Sequence, residues 1–298
     1  MFLLSIYFAA LHVVLLHKFR STLRSPTDRH GRYQAFATDL AFSRTPVGWL
    51  ATAPPASGIV KKSCQEVLAN MSARPILYYA LFSPPARAAL LTSKYIGLNV
   101  ELKAINYAAQ EHHSDWFLKV NPRHTVPVLV DQGVPLCDSH AIITYMVNQY
   151  GQSQHDHLYP KDFLKRAIVD ERLYYEDGVL FQVIKDFVAR IMYGGDIDYH
   201  RKSIELSHNA YSFLEGFLSR SSYVAGEELS LADISINTTL ITLHKLVTIE
   251  ERRYPKICAW MQRMRGELPE YEEINEQGAQ QLYLRFQHAL EENMTKHT

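Results

Sequence analysis

Apolar and polar positions follow two different periodicities along the chain, and beyond residue 70 both predict regular structure. A short apolar, aromatic run at Pro75–Tyr79 predicts a buried strand. Two prolines then suit the first turn of a helix, and the helix-forming stretch Ala86–Tyr95 ends at Gly97. Val100–Asn106 alternates between apolar and polar residues, which predicts a second strand. Because a helix connects the two strands, we expect them to be parallel.

The next segments add a hairpin and two helices to this unit. A short helix at Trp116–Val120 precedes a strand at Thr125–Val130, and a turn leads into a further strand at Val134–Cys137. Ser139–Tyr150 has apolar residues at helical spacing. The order β-α-β-α-β-β-α is that of an α/β thioredoxin-like domain, which we place at residues 71–150.

Every periodic segment after residue 161 predicts a helix. A polar stretch with a glycine and a proline marks residues 151–161 as a linker, so that residues 162–298 form an all-α domain. Ser230 and Asp233 have the spacing of a capping box, with Asp in place of the usual Glu or Gln. The helices are expected at Asp162–Tyr193, Tyr199–Ser219, Leu231–Leu246, Tyr254–Arg265 and Gln277–Glu292.

The first seventy residues lack the pattern of a folded core. Residues 1–16 are apolar but shorter than the roughly 20 residues that span a membrane. They resemble the apolar part of a signal peptide without its basic start or its cleavage site, and the acid-poor residues after them would also fit a transit peptide. The alternative is that residues 1–70 are not native and the protein begins at Met71. A membrane is a partner only if residues 1–16 are native.

Composition is ordinary for a soluble globular protein, with 47% hydrophobic and 21% charged residues. Lys plus Arg (31) equals Asp plus Glu (31), so no net charge favours nucleic acid as a partner. The three cysteines are scattered, which fits a reducing compartment, and we expect a cytoplasmic protein. His155 and His157 lie in the polar linker without further ligands, so we expect them to be solvated and expect no metal.

Three motifs in the first domain resemble those of insect glutathione S-transferases. Ser83–Arg87, Asn121–Pro127 and Asp138–Ile142 occur in the order found in the delta and epsilon classes of that family. The epsilon class is the closer match, through Glu111-His112 and the run Glu176–Phe181. The resemblance covers nearly all of the chain after residue 70. It implies the glutathione transferase fold, with a thioredoxin-like domain followed by an all-helical one.

The resemblance implies that Ser83 is the catalytic residue. The enzyme must turn the thiol of glutathione into a thiolate, and a free thiol with a pKa of about 8.5 is mostly protonated at neutral pH. Ser83 lies where a strand runs into a helix N-terminus, so its hydroxyl and the helix dipole could both stabilise a sulfur anion. The simpler alternative is that Ser83 only caps the helix.

The same resemblance assigns residues that bind glutathione. Val126-Pro127 matches a cis-proline that turns the Val126 backbone toward the peptide of glutathione. Ser139 opens a helix and would receive the γ-glutamyl carboxylate, while Asp138 would pair with the ammonium. His112 and His124 match positions that face the glycyl carboxylate, and His140, next to Ser139, is structural or peripheral. The assigned set is His112, His124, Val126, Pro127, Asp138, Ser139 and His140.

The electrophile site of the family lies between the two domains. The residues at the matching positions are Phe82, Lys185, Ala189, Met192 and Tyr193. A stripe of aromatic residues and methionine is also typical of an ordinary core. Relatives that dehydrochlorinate insecticides have Arg near Lys185 and an acid at Ala189, and this chain departs from that pattern. A sterol-handling relative has an acid at the position that corresponds to Ile184, and this chain lacks that acid.

These features predict an enzyme that conjugates glutathione to small hydrophobic electrophiles in xenobiotic detoxification. Reduction of organic hydroperoxides with glutathione is a possible side activity. The alternatives are a ligandin-like carrier on the same fold and an interaction module. Glutathione is the co-substrate, and the family implies a homodimer.

Overall fold

The computed structural model describes residues 74–297, and a four-stranded mixed sheet forms the first part. The predictions for residues 1–70 and for a start at Met71 lie outside the described residues. The strands are β1 (Ile76–Tyr79), β2 (Glu101–Ala104), β3 (Val128–Asp131) and β4 (Val134–Leu136), in the spatial order β2-β1-β3-β4. The β1–β2 pair is parallel, as predicted, and β3 runs antiparallel to both β1 and β4.

Three helices complete this α/β unit: α1 (Pro84–Tyr95), α2 (Asp115–Val120) and α3 (Ser139–Tyr150). The two prolines form the first turn of α1, where a missing N–H costs no hydrogen bond. The succession of strands and helices confirms the thioredoxin-like prediction. A 3-10 helix at Glu111–His113 was not predicted, because three residues are too few to show a periodicity.

The second part is entirely helical and confirms the prediction of an all-α second half. Its α-helices are α4 (Phe163–Tyr175), α5 (Phe181–Phe187), α6 (Arg201–Leu218), α7 (Leu231–Leu246), α8 (Pro255–Glu267) and α9 (Gln277–His297). The prediction of one regular helix over Asp162–Tyr193 is wrong in detail, because π-helical segments at Glu176–Leu180 and Val188–Tyr193 interrupt it. A third π-helical segment, Glu272–Glu276, leads into α9. Among residues 74–297, none of the helices combines the length and apolarity needed to cross a membrane.

Helix α7 is the centre of the helical part, and its residues from Leu231 to Leu243 are all buried. The capping box predicted before it is present. The Asp233 carboxylate accepts the Ser230 backbone N–H at 2.9 Å and also the Trp260 indole N–H at 2.9 Å. These bonds replace the water that a buried carboxylate loses, and they anchor the start of α7 to α8.

One apolar core joins the sheet unit to the helical part. Helix α1 packs against both α3 and α7, and the core extends from Leu77 on β1 to Phe286 on α9. A smaller cluster around Tyr78, Phe117 and Val128 covers the opposite side of the sheet. Because the two parts share a core, the residues that face each other across their boundary are held in fixed positions. The exact domain boundaries given above stay a prediction.

Candidate active site

A cleft of about 250 Å³ lies where the sheet unit meets the helical part. On one side it contains the predicted catalytic serine, the predicted cis-proline pair and the start of α3. On the other side is the continuous helical stretch from α4 through α5 to Tyr193, including its π-helical segments, called the α4–α5 helix below. Its lining residues are Ser83, Pro85, Arg123, Thr125, Val126, Pro127, Cys137, Asp138, Ser139, Glu176, Asp177, Phe181 and Lys185. Residues predicted from motifs more than a hundred positions apart therefore line one cavity.

Ser83 caps α1 and remains only half-buried at the cleft. Its backbone N–H donates to the carbonyl of Ala80 at 3.0 Å, which fixes the turn between β1 and α1. Its side-chain Oγ accepts the Ala86 N–H at 3.4 Å, near the upper limit for a hydrogen bond. The hydroxyl proton is therefore available to a ligand, and the positive end of the helix dipole lies at the same place.

Arg87, one turn after Ser83, holds the loop that precedes the serine. Its side chain is buried to 1% exposure. Its Nη1 donates to the carbonyls of Leu81 and Phe82, both at 3.1 Å. The other donors reach Thr238 O at 2.7 Å, Thr242 Oγ1 at 2.6 Å and Asn275 Oδ1 at 3.0 Å. One guanidinium thus ties the loop before Ser83 to α7 and to the segment before α9. The sequence motif contained Arg87, but we assigned it no role.

Asp138 and Ser139 form the opposite wall at the N-terminus of α3. The Asp138 Oδ1 atom accepts the N–H groups of His140 at 3.0 Å and Ala141 at 3.2 Å, so Asp138 is the N-cap, and its carboxylate is exposed. Ser139 is the first residue of the helix. The peptide bond between Val126 and Pro127 is cis, and both residues line the cleft.

His140 lies beside this wall, and its ring bonds to residues of the helical part. Its Nε2 lies 2.9 Å from Glu176 Oε2 and 3.0 Å from Ser235 Oγ. Burial alone would lower the pKa of His140, but the hydrogen bond and negative charge of Glu176 outweigh it and raise the pKa above its ordinary value. His140 therefore links α3 to the helical part, while a contact with glutathione stays a prediction.

His112 and His124 belong to a group of aromatic rings, and neither is among the residues that line the cleft. The His112 ring is buried and stacks on Tyr107 with 4.0 Å between ring centres. His124 is exposed, and its ring centre lies 4.7 Å from that of His113. Burial lowers the pKa of His112, and the neighbouring His113 and His124 lower it further. The histidines of residues 74–297 take part in no group of side chains that could hold a metal ion.

Matches to known proteins decide the family. Residues 77–154 match the family model for the glutathione S-transferase N-terminal domain, and residues 180–267 match that for the C-terminal domain. Glutathione S-transferase D7 of Anopheles gambiae is 37% identical over 211 residues, which cover 70% of this chain and 94% of the relative. The chain belongs to the glutathione S-transferase family.

Solved structures of glutathione S-transferases agree with this membership. The epsilon-class glutathione S-transferase from the housefly, Musca domestica, is 42% identical with a TM-score of 0.69. The match covers 72% of this chain and 98% of the housefly protein. A glutathione transferase homologue from Drosophila mojavensis, solved with bound glutathione, is 40% identical with a TM-score of 0.69. That match covers 72% of this chain and 97% of the homologue.

The residues expected at the electrophile site of a glutathione S-transferase lie around Phe82 and the second half of the α4–α5 helix. Phe82 is half-buried and meets Tyr107 edge to face, with 5.0 Å between ring centres. Lys185 lines the cleft, and Ala189 follows one turn later and is exposed. Tyr193 has 83% of its surface exposed. Met192 packs against the core, which fits the alternative interpretation given for this stripe.

Sequence reasoning missed several residues that the fold brings to the cleft. Asp177 and Phe181 precede Lys185 by eight and four residues, and this helical spacing could have identified them. Arg285 on α9 is not a lining residue, but its guanidinium lies 4.2 Å from the centre of the Phe82 ring, next to Ser83, and no local signal marked it. The prediction that His155 is solvated is wrong, because the residue is buried and its Nδ1 accepts the Gln152 N–H at 3.1 Å.

Proposed function

We propose that this chain is an enzyme that adds the thiolate of glutathione to small hydrophobic electrophiles, with Ser83 as the residue that activates the sulfur. The main support for this proposal is the Ser83 hydroxyl, which lies at a helix N-terminus in the cleft. Its oxygen accepts one long hydrogen bond, and its proton is available to a ligand. A hydroxyl that donates to sulfur favours the charged thiolate over the neutral thiol. The fixed position of the preceding loop, held by Arg87, supports a preorganised site.

Glutathione has charged groups at both ends, and the cleft contains suitable partners for each. The backbone N–H and the hydroxyl of Ser139 at the start of α3 would bind the γ-glutamyl carboxylate, and Asp138 with Asp177 would bind the ammonium. Arg123 and His124 lie on the loop before β3 and would face the glycyl carboxylate. The backbone of Val126 would pair with the peptide between these ends.

Replacing Ser83 tests the catalytic assignment. A hydrogen bond to a charged group contributes about 1.5–3 kcal/mol, which corresponds to about one to two pKa units of the thiol. Ser83→Ala should therefore slow conjugation at pH 7 by roughly ten- to a hundredfold, while glutathione still binds. Part of the loss should return at higher pH, because glutathione then ionises without help. The measurement is the conjugation rate over a panel of electrophiles, with thiolate absorbance as a direct readout.

Two outcomes would contradict this proposal. If Ser83→Ala conjugates as fast as the parent protein at pH 7, the serine is only a helix cap. If the parent protein binds apolar ligands but conjugates none of the panel, a ligandin-like carrier is the better description. Retention on immobilised glutathione separates loss of binding from loss of chemistry.

We also propose that the protein acts as a cytoplasmic homodimer in detoxification, with hydroperoxide reduction as a side activity. Large apolar side chains on α4 support association, since Phe163, Leu164 and Tyr174 are each more than 70% exposed. A second copy would cover them in a closed two-fold dimer. Light scattering at micromolar concentration should give twice the subunit mass, and Tyr174→Arg should lower it.

A further inference from the structure

The charge changes sign along the helix face that lines the cleft. Asp177, Phe181 and Lys185 are spaced four residues apart, so they follow one another on one face of the α4–α5 helix. Lys185 lies eight residues, about two helical turns, beyond Asp177. Asp177 is on the side of Asp138, with which it shares a second cavity. Lys185 therefore lies beyond the end that suits the ammonium of glutathione.

A second cation reaches this region from the C-terminal helix. The guanidinium of Arg285 on α9 lies 4.2 Å from the centre of the Phe82 ring, and Phe82 directly precedes Ser83. The Lys185 ammonium lies 5.1 Å from the centre of the Phe181 ring. Each cation thus lies over an aromatic ring: Phe181 lines the cleft together with Ser83, and Phe82 is the residue before Ser83.

Neither cation is neutralised by a nearby acid. Within residues 74–297, no carboxylate forms an ion pair with Lys185 or Arg285. The acid next to Lys185, Asp186, faces elsewhere, because it pairs with Arg190 at 3.1 Å and accepts the Ser203 hydroxyl. Arg190 also lies 3.7 Å from Asp196. Arg190 is therefore paired with two carboxylates, whereas Lys185 and Arg285 are paired with none of the carboxylates in residues 74–297.

We propose that Lys185 and Arg285 bind an anionic group of the electrophile, so that the preferred substrates are apolar electrophiles that carry a carboxylate. The inference rests on the transferase function proposed above and names its substrate class. The rings of Phe82 and Phe181 would contact the apolar body, and the two cations would contact the acid. A carboxylate is a better partner for these cations than an uncharged substituent of the same shape, because it restores local neutrality.

The reaction itself is that of an activated alkene. The thiolate sulfur forms a bond to the β-carbon of an enone, and the alkene electron pair moves to the carbonyl oxygen as an enolate. A proton from water then completes the thioether adduct. The carboxylate takes no part in these bonds, so it can serve purely for recognition.

A matched pair of probes tests the inference: benzylideneacetone with a para-carboxylate, and the methyl ester of the same compound. Each kcat/KM is divided by the uncatalysed rate with glutathione, which removes the difference in intrinsic reactivity. The parent protein should favour the acid by about tenfold, since Lys185 and Arg285 are both exposed and each contributes a small factor. Lys185→Met and Arg285→Met should each lower the acid-to-ester ratio by about threefold, and Lys185→Glu should favour the ester.

Lys119→Met is the matched control, because Lys119 is exposed on α2, outside the cleft. It should leave the acid-to-ester ratio at the parent value. A ratio that also stays unchanged in Lys185→Met and Arg285→Met would overturn the inference. So would an equal loss for both probes, since the cations would then act on the thiolate rather than on the electrophile.

Binding of product analogues gives a readout that needs no turnover. Calorimetry should show tighter binding of S-carboxypentyl glutathione than of S-hexyl glutathione, and the preference should vanish in the Lys185→Met/Arg285→Met double variant. The preference should also weaken with added salt. Equal affinity of the two analogues would overturn the inference and leave the transferase function intact. A retained preference in a protein that conjugates neither probe would instead refute the proposed function.

Discussion

Ser83 and Arg87 lie one turn apart on α1, and their surroundings differ in almost every respect. Arg87 points into the boundary between the two parts of the molecule, where its donors find oxygens of Leu81, Phe82, Thr238, Thr242 and Asn275. Ser83 lines the cleft, and its side chain makes a single long hydrogen bond, in which Oγ accepts the Ala86 N–H. The first turn of α1 is thus held in place on one side, while the Ser83 hydroxyl on the other side keeps its proton free to donate.

The largest effect on stability is expected at Arg87, on the buried side of α1. Arg87→Met should lower the free energy of unfolding by about 3–5 kcal/mol, since several buried oxygens lose their donor at once. Urea unfolding followed by tryptophan fluorescence measures it. Arg252→Met, at an exposed position in the turn before α8, is the control and should change stability by less than about 0.5 kcal/mol. A similarly small change in unfolding free energy for both variants would show that the hydrogen bonds of the Arg87 guanidinium contribute little to stability.

The second prediction concerns His140, which joins α3 to the helical part next to the cleft. The pKa of His140 is raised in the folded protein, so its stabilising bond with Glu176 is fully present below the unfolded pKa of about 6.5. This contribution is lost as the pH rises through the folded pKa. His140→Gln should therefore cost about 1.5–3 kcal/mol near pH 6 and progressively less at alkaline pH.

Urea titrations of the parent protein and of His140→Gln at a series of pH values measure this difference. His288→Gln is a suitable control, because His288 is exposed on α9. A stability difference between parent and His140→Gln that does not depend on pH would mean that the charge of His140 does not contribute.

The third prediction concerns Gly278 at the start of α9. A methyl group at this position would collide with the carbonyl oxygen of Leu81 and with Cδ of Arg87. Gly278→Ala should destabilise the protein by about 1–3 kcal/mol, and it should disturb the loop before Ser83. Gly266→Ala is the matched control, since no heavy atom lies within 4 Å of a Cβ there, and it should stabilise α8 by up to about 1 kcal/mol. Two alanine variants of equal stability would disprove the close approach.

The smallest effect on stability is expected at Ser83. Its cap bond to Ala86 is long, so Ser83→Ala should cost less than about 1 kcal/mol of unfolding free energy, near the low end for helix caps. The same change should have the large effect on conjugation given above. Thermal unfolding measures the stability term, and a loss as large as that of Arg87→Met would mean that Ser83 is structural.

Local sequence patterns predicted most of the fold. The strands β1 and β3 and most helices appear within a few residues of their predicted bounds, because each depends on apolar spacing within one segment. The π-helical segments were missed, since one extra residue in a turn hardly changes the spacing of apolar positions. His155 was misjudged because its cap bond to Gln152 is not visible in composition.

The candidate site was predictable only in part. Ser83, Asp138 and the Val126-Pro127 pair belong to short motifs, so the sequence alone could place them on the first domain and suggest a glutathione cleft. Turns and helix caps depend on hydrogen bonds between residues that are close in the sequence. Local sequence patterns can therefore predict them. The sequence by itself therefore determined most of the elements, the family, and the choice of Ser83, Asp138 and the Val126-Pro127 pair as site candidates.

Tertiary structure alone decided which remote residues lie around Ser83 and the loop before it. Arg87 would be read as an ordinary charged residue of a surface helix, yet its partners Thr238 and Asn275 are 151 and 188 residues away in the chain. Arg285 likewise reaches Phe82 only because α9 folds back along the helical part. Burial and charge compensation depend on distances between remote segments, and no local periodicity encodes those distances. The sequence could name Ser83 as a candidate, but only the packed core determined that Lys185 lines the same cleft and that Arg285 lies over Phe82.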